Sequence, residues 1–154
     1  MRYTALPTAV ARAFQSGASD AHAMPPERVP SDGKGNPCRH CLREVPAGQD
    51  MLILAYRPFD NLHPYAELGP IFLCAEACTQ GGGAQTPDIL ATAPDYLVKG
   101  YGRDDRIVYG TGGVIPAGQI AARARTLLAD PAIAYLHVRS ARNNCYLLRI
   151  DREG

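Results

Sequence analysis

The feature that most constrains this chain is a pair of cysteine pairs. The knuckle Pro37-Cys38-Arg39-His40-Cys41 and the later stretch from Gly69 to Cys78 hold four of its five cysteines. Zinc takes thiolate and imidazole ligands in a tetrahedron, and two cysteines separated by two residues can address one ion from a single tight turn. Cys38 and Cys41 have that spacing. Cys74 and Cys78 supply the second pair, with His40 or His63 as substitute ligands, so the metal reading joins Cys38, Cys41, Cys74 and Cys78 around zinc. The interval between the pairs exceeds the roughly 15–20 residues of a compact zinc ribbon, and closure therefore requires the apolar run Met51–Tyr56 to fold back between them. Two other readings stand beside this one. Cys38 and Cys41 form a redox dithiol, although such a motif ordinarily opens a helix in a βαβ setting, whereas here it follows a Gly- and Pro-rich stretch and precedes Pro46-Ala47-Gly48. Alternatively the cysteines are small core residues with no cofactor.

The odd number of cysteines fits a compartment where thiols stay reduced better than it fits a disulfide framework. Met1–Pro7 has no unbroken apolar stretch of the leader type, and nothing later approaches the roughly 18–20 apolar residues of a membrane span. A cytoplasmic protein with no membrane partner is expected. Sixteen Lys and Arg against fifteen Asp and Glu leave a net charge of +1, without the basic block that counterion release rewards, which disfavours nucleic acid as a partner. The partner is otherwise unspecified, and a homo-oligomer is compatible with the sequence.

Pro7 opens a helix with Leu6, Val10, Ala13 and Phe14 on one side, ending near Gly17. Residues 17–36 have the composition of an irregular arm. The expected organisation is thus an N-terminal helix and arm over 1–35 and one compact unit over 36–154. Within that unit Met51–Tyr56 and Ile71–Cys74 read as strands, joined by the turn-rich Pro58–Tyr65. Tyr96–Tyr101 and Ile107–Tyr109 flank a polar tip and predict a hairpin. The main helix spans 116–129, with Ile120, Ala124, Leu127 and Leu128 on one stripe. A last hairpin joins Ala132–Arg139 to Cys145–Ile150. These elements predict an α+β fold with a mostly antiparallel sheet of about five or six strands.

Alternation in the last hairpin puts Tyr135, His137 and Arg139 on one face, and a five-residue loop would set Arg139 opposite Cys145. A cation lowers a thiol's pKa and a histidine can serve as its base, so Cys145, His137 and Arg139 form a candidate catalytic group. In the competing reading Arg139 and His137 decorate a solvated face and Cys145 is inert. Gly110-Thr111-Gly112-Gly113 lacks the Gly-Lys-Ser/Thr tail of a phosphate loop and reads as a turn.

Pro37–Cys41, the run from Leu52 ending Tyr56-Arg57-Pro58-Phe59, the segment Pro64–Phe72, and His137-Val138-Arg139 with Asn144-Cys145-Tyr146 together resemble the uncharacterised DUF1203 family, over roughly Asn36 to Arg152. The resemblance implies no reaction. It implies a pocket lined by Tyr65, Glu67, Arg139 and Cys145 if those segments converge, and Tyr65, Glu67 and Arg57 are the ligand-binding candidates. The family pattern carries a histidine where this chain has Cys74, an exchange compatible with a zinc position. The expected function is a small-ligand or partner-binding module stabilised by a Cys-ligated metal. The alternatives are a small enzyme using Cys145, His137 and Arg139, and a redox dithiol protein using Cys38 and Cys41.

Overall fold

Short apolar and alternating runs recur in the chain after Asp50, and the computed structural model, which describes residues 1–153, converts them into antiparallel sheet. The architecture is α+β, with two α-helices and nine strands divided between two sheets. In chain order these are β1 (Arg2–Thr4), α1 (Thr8–Gln15), β2 (Glu27–Pro30), β3 (Asp50–Tyr56), β4 (Gly69–Cys74), β5 (Gly82–Gly83), β6 (Asp95–Tyr101), β7 (Gly113–Pro116), α2 (Ile120–Leu128), β8 (Tyr135–Ser140) and β9 (Tyr146–Asp151). The large sheet runs β5-β1-β9-β8-β6-β7 and the small one β2-β3-β4.

Each sheet has its own core. The apolar stripe of α2 (Ile120, Ala124, Leu127, Leu128) packs on Val98, Leu136, Val138, Leu148 and Ile150 of the large sheet. Around the small sheet, Leu6 and Ala11 meet Leu52, Leu54, Ile71 and Leu73, with Cys38 and Cys74 buried among them. The large sheet's second face is aromatic and polar. There Phe59, carried by the loop after β3, packs on Tyr101 and Tyr135, and its ring lies 5.2 Å from that of His137.

Several elements differ from the sequence reading. Residues 17–36, expected to be irregular, contain β2, which pairs with β3 from Glu27↔Ile53 to Pro30↔Asp50; an edge strand tolerates Pro30 because no ladder partner needs its missing N–H. The three residues of β1 are too few to show alternation, yet they pair with β9, and Tyr3 is buried in the large core. The partner of β6 is β7 rather than Ile107–Tyr109, which contributes a single bridge between Tyr101 and Ile107. A side chain explains this: Thr111 Oγ1 takes the Gly100 N–H at 2.9 Å, where a strand would supply a carbonyl. In the last hairpin a bulge between Val138 and Arg139 sets Arg139 opposite Tyr146, His137 opposite Arg149 and Tyr135 opposite Asp151. The body of the strand moves by an even number of residues, so Tyr135 and His137 keep their face while their partners change.

Candidate metal centre and the polar sheet face

The knuckle is held by backbone bonds before any ligand is considered. Cys38 N–H reaches Arg43 O at 2.9 Å and Leu42 N–H reaches Cys38 O at 2.9 Å, closing a tight turn with Leu42 at φ 55°. Cys38 forms a parallel bridge with Phe72, and Arg39 N–H donates to Phe72 O at 3.0 Å, which lays the knuckle along β4. On its other side Gly81 N–H donates to His40 O at 2.8 Å. A side chain at Gly81 would run into the Cys41 carbonyl, so only glycine permits this approach.

This arrangement gathers four sulfurs. The Sγ atoms of Cys38, Cys41, Cys74 and Cys78 all lie within 4.8 Å of one another. Cys38 and Cys78 are 3.9 Å apart, as are Cys41 and Cys74. Zinc–sulfur bonds of about 2.3 Å give a tetrahedral edge of about 3.8 Å, whereas a disulfide needs about 2.05 Å. All five cysteines are free thiols. The cluster can hold a metal ion.

Surrounding groups are oriented to serve thiolates. Cys38 Sγ accepts the Cys74 N–H at 3.2 Å. His40, fully buried, places Nδ1 at 3.1 Å from Cys78 Sγ and Nε2 at 2.9 Å from Thr8 Oγ1. Burial holds the His40 pKa below its ordinary value, and a neutral ring with its proton on Nδ1 donates to sulfur while Nε2 accepts from the threonine. Helix α1 fixes the second pair from outside: Arg12 donates to Cys78 O at 2.8 Å, and Gln15 Nε2 donates to Cys74 O at 2.9 Å and Glu76 O at 3.0 Å. The thiols also act on one another. Hydrogen bonds from the Cys41 and Cys74 thiols pull the Cys38 pKa down, and those two rise by donating to it; burial pushes Cys78 up to about 12. Four thiolates at this spacing need a cation between them.

Arg39 connects this centre to the large sheet. Its side chain is 4% exposed; Nε donates to Tyr146 O on β9 at 2.7 Å and Nη1 to Pro37 O at 2.7 Å, while the guanidinium lies over the Phe72 ring. Burial lowers its pKa to about 10, so it remains a cation at neutral pH. Sequence reasoning passed over Arg39 as a functional position, since nothing in the knuckle signals that its side chain would reach a carbonyl of the last strand.

The remaining candidates divide. Glu67 meets Lys99 at 2.9 Å and Arg139 at 3.3 Å, with Asn144 Nδ2 at 3.5 Å. Tyr65 lies elsewhere, its hydroxyl 2.8 Å from that of Tyr109 and its ring under Arg106. Arg57 donates to Phe59 O at 3.1 Å. Cys145 follows the bulge and turns its thiol toward Asn143 O at 3.7 Å, while His137 and Arg139 meet each other, Nδ1 to Nη2, at 3.3 Å. The structure therefore brings Glu67, Arg139 and His137 together, and sets Tyr65, Arg57 and the Cys145 thiol apart from that group. Next to His137 lies a cavity of about 330 Å³, whose walls include Tyr56, Phe59, Tyr135, Tyr146 and Arg149. Tyr56, Phe59 and Tyr146 lie in the segments that carry the family resemblance and alternation placed Tyr135 on this face, but no motif marked these residues as walls of one cavity.

Burial, then the cations Arg139, Arg149 and Lys99, push the His137 pKa well below its ordinary value. A base with a lowered folded pKa binds its proton first in the unfolded chain, so its full contribution to stability is present above the unfolded value of about 6.5 and is lost as pH falls below it. The urea midpoint is expected to decline between pH 7 and pH 5, and H137Q, which cannot titrate, to decline less. An unchanged slope in H137Q would assign the acid sensitivity to other groups.

A family model described as a protein of unknown function (DUF1203) matches residues 35–152. No curated protein and no solved structure matches the chain.

Proposed function

We propose, since the chain belongs to the DUF1203 family and that description assigns no reaction, that its side chains define a small-ligand-binding module stabilised by one zinc ion on Cys38, Cys41, Cys74 and Cys78. The observation that carries this reading is the spacing of the four sulfurs, near the edge of a zinc–thiolate tetrahedron. Four protein ligands leave no open coordination position, which is the pattern of a structural rather than a catalytic ion. Softness favours zinc over magnesium or calcium at an all-sulfur site. Thiols kept free for a metal suit a reducing compartment such as the cytoplasm, and among the described residues no helix is long and apolar enough to cross a membrane.

Elemental analysis of freshly purified, untagged protein tests the metal reading. One equivalent of zinc per chain is expected, and cobalt substitution should give the visible bands of a tetrahedral thiolate site. Substoichiometric zinc in folded, reduced protein would end the assignment.

A further inference from the structure

The cavity on the polar face of the large sheet is lined by both donors and carboxylates. Two of its three carboxylates are already engaged: Asp151 accepts from Arg149 Nε at 2.6 Å and from Thr4 Oγ1 at 2.6 Å, and Asp105 accepts from the Tyr135 hydroxyl at 2.7 Å; the third is Asp60. Against them stand three groups that can donate. Arg139 has only N–H groups to offer, so His137 Nδ1 must accept from it at 3.3 Å, which leaves the ring proton on Nε2. His137 is 1% exposed and Tyr146 8%, and among the described residues neither His137 Nε2 nor the Tyr146 hydroxyl has a hydrogen-bond partner, although both residues line the cavity. Neither atom is sealed from solvent, so each can donate to a group that enters the cavity. Arg149 adds the terminal nitrogens of its guanidinium, whose Cζ lies over the Tyr135 ring, 3.7 Å from its centre.

We propose that this cavity binds a small monocarboxylate with an apolar body, its carboxylate received by Arg149, His137 and Tyr146 and its body packed against Tyr56 and Phe59. This inference rests on the binding-module reading and names the ligand class. A guanidinium can engage a carboxylate through two parallel bonds, and two neutral donors beside it complete the set. The electrostatics select a single charge. Lys99 and Arg139 stand behind His137 with one carboxylate, Glu67, between them, and they add to the burial that lowers the His137 pKa. Asp60 and Asp105 also line the cavity and disfavour a dianion such as phosphate. The cavity volume, about 330 Å³, is at the small end of ligand pockets, which suits an acid no larger than one ring with a short side arm.

Calorimetric titration of the zinc-assayed protein with benzoate and phenylacetate, at fixed ionic strength, tests the proposal, with benzylamine and benzyl alcohol as counter-probes. At least one acid should bind and both counter-probes should bind more weakly. R149M, which keeps an unbranched apolar side chain, should weaken the acid by about tenfold or more, and Y146F, which deletes one hydroxyl, by several-fold. Failure of both acids to bind, tighter binding of benzylamine, or unaltered affinity in R149M would overturn the assignment. Zinc-loaded protein that ignores both acids would remove this site and leave the metal centre standing, whereas zinc-free protein that binds benzoate would do the reverse.

Discussion

Stripping the metal from the four-cysteine centre is expected to cost about 5 kcal/mol and to lower the Tm by roughly 10–20 °C. Without the ion, the Cys41 and Cys74 thiols lower the Cys38 pKa by donating to it, while the pKa values of Cys41, Cys74 and the buried Cys78 are raised, so the four-point tie between knuckle, β4 and the following loop is reduced to thiol contacts. Zinc-finger peptides lose all structure on losing their metal, but here the core under α2 stands apart from the cysteines. The loss should therefore fall on the small sheet and α1, whose core includes Cys38 and Cys74. Hydrogen exchange after chelation should accelerate in β3 and β4 more than in β8. C38S and C74S should lose zinc and stability together, while C145S, outside the cluster, should keep both. A chelator that removes zinc and leaves the Tm in place, or C38S protein with a full equivalent of zinc, would refute the structural role.

How much of this was legible in the sequence depended on the range of the interaction. Cys38 and Cys41 declared themselves by spacing, and the strand between the pairs, Met51–Tyr56, by its unbroken apolar run; β3 indeed pairs with β4 and returns Cys74 to the knuckle. Helix α2 followed from its stripe. What escaped was set by single side chains acting over long distances. Thr111 diverted the partner of β6, and the bulge at Val138 and Arg139 moved the register of β8 and β9, so a face was readable where its cross-strand pairs were not. His40 was read as a substitute ligand, and its bond to Thr8 gives it a supporting position behind Cys78; nothing local to His40 distinguishes those roles. The meeting of Glu67 with Arg139 came from resemblance alone, because no periodicity links a loop residue to a strand so distant in sequence.

Arg39 carries the second large expectation. It is a buried cation that joins the knuckle to the large sheet, and R39M is expected to lose about 3–5 kcal/mol. Methionine keeps most of the apolar stem but loses the guanidinium over the Phe72 ring and gives no donor to Tyr146 O or Pro37 O, both of which Arg39 reaches at 2.7 Å. Lysine should not rescue the loss. An ammonium is one compact, strongly hydrated point, whereas the guanidinium sends N–H groups in two fixed directions to two carbonyls, so R39K should recover less than half of the difference. The charge also matters to the centre: a zinc ion with four thiolates carries a net charge of −2, which favours the Arg39 cation across the knuckle. Urea unfolding of wild type, R39M and R39K at pH 7, with zinc content measured in parallel, separates the two effects. Loss of stability with zinc retained is the expected outcome, since all four sulfurs remain; faster exchange of amides in β9 should accompany it, because the bond to Tyr146 O is the one that ties the last strand to the knuckle. R39K with wild-type stability would mean that charge alone, without the two directed bonds, holds the sheets together.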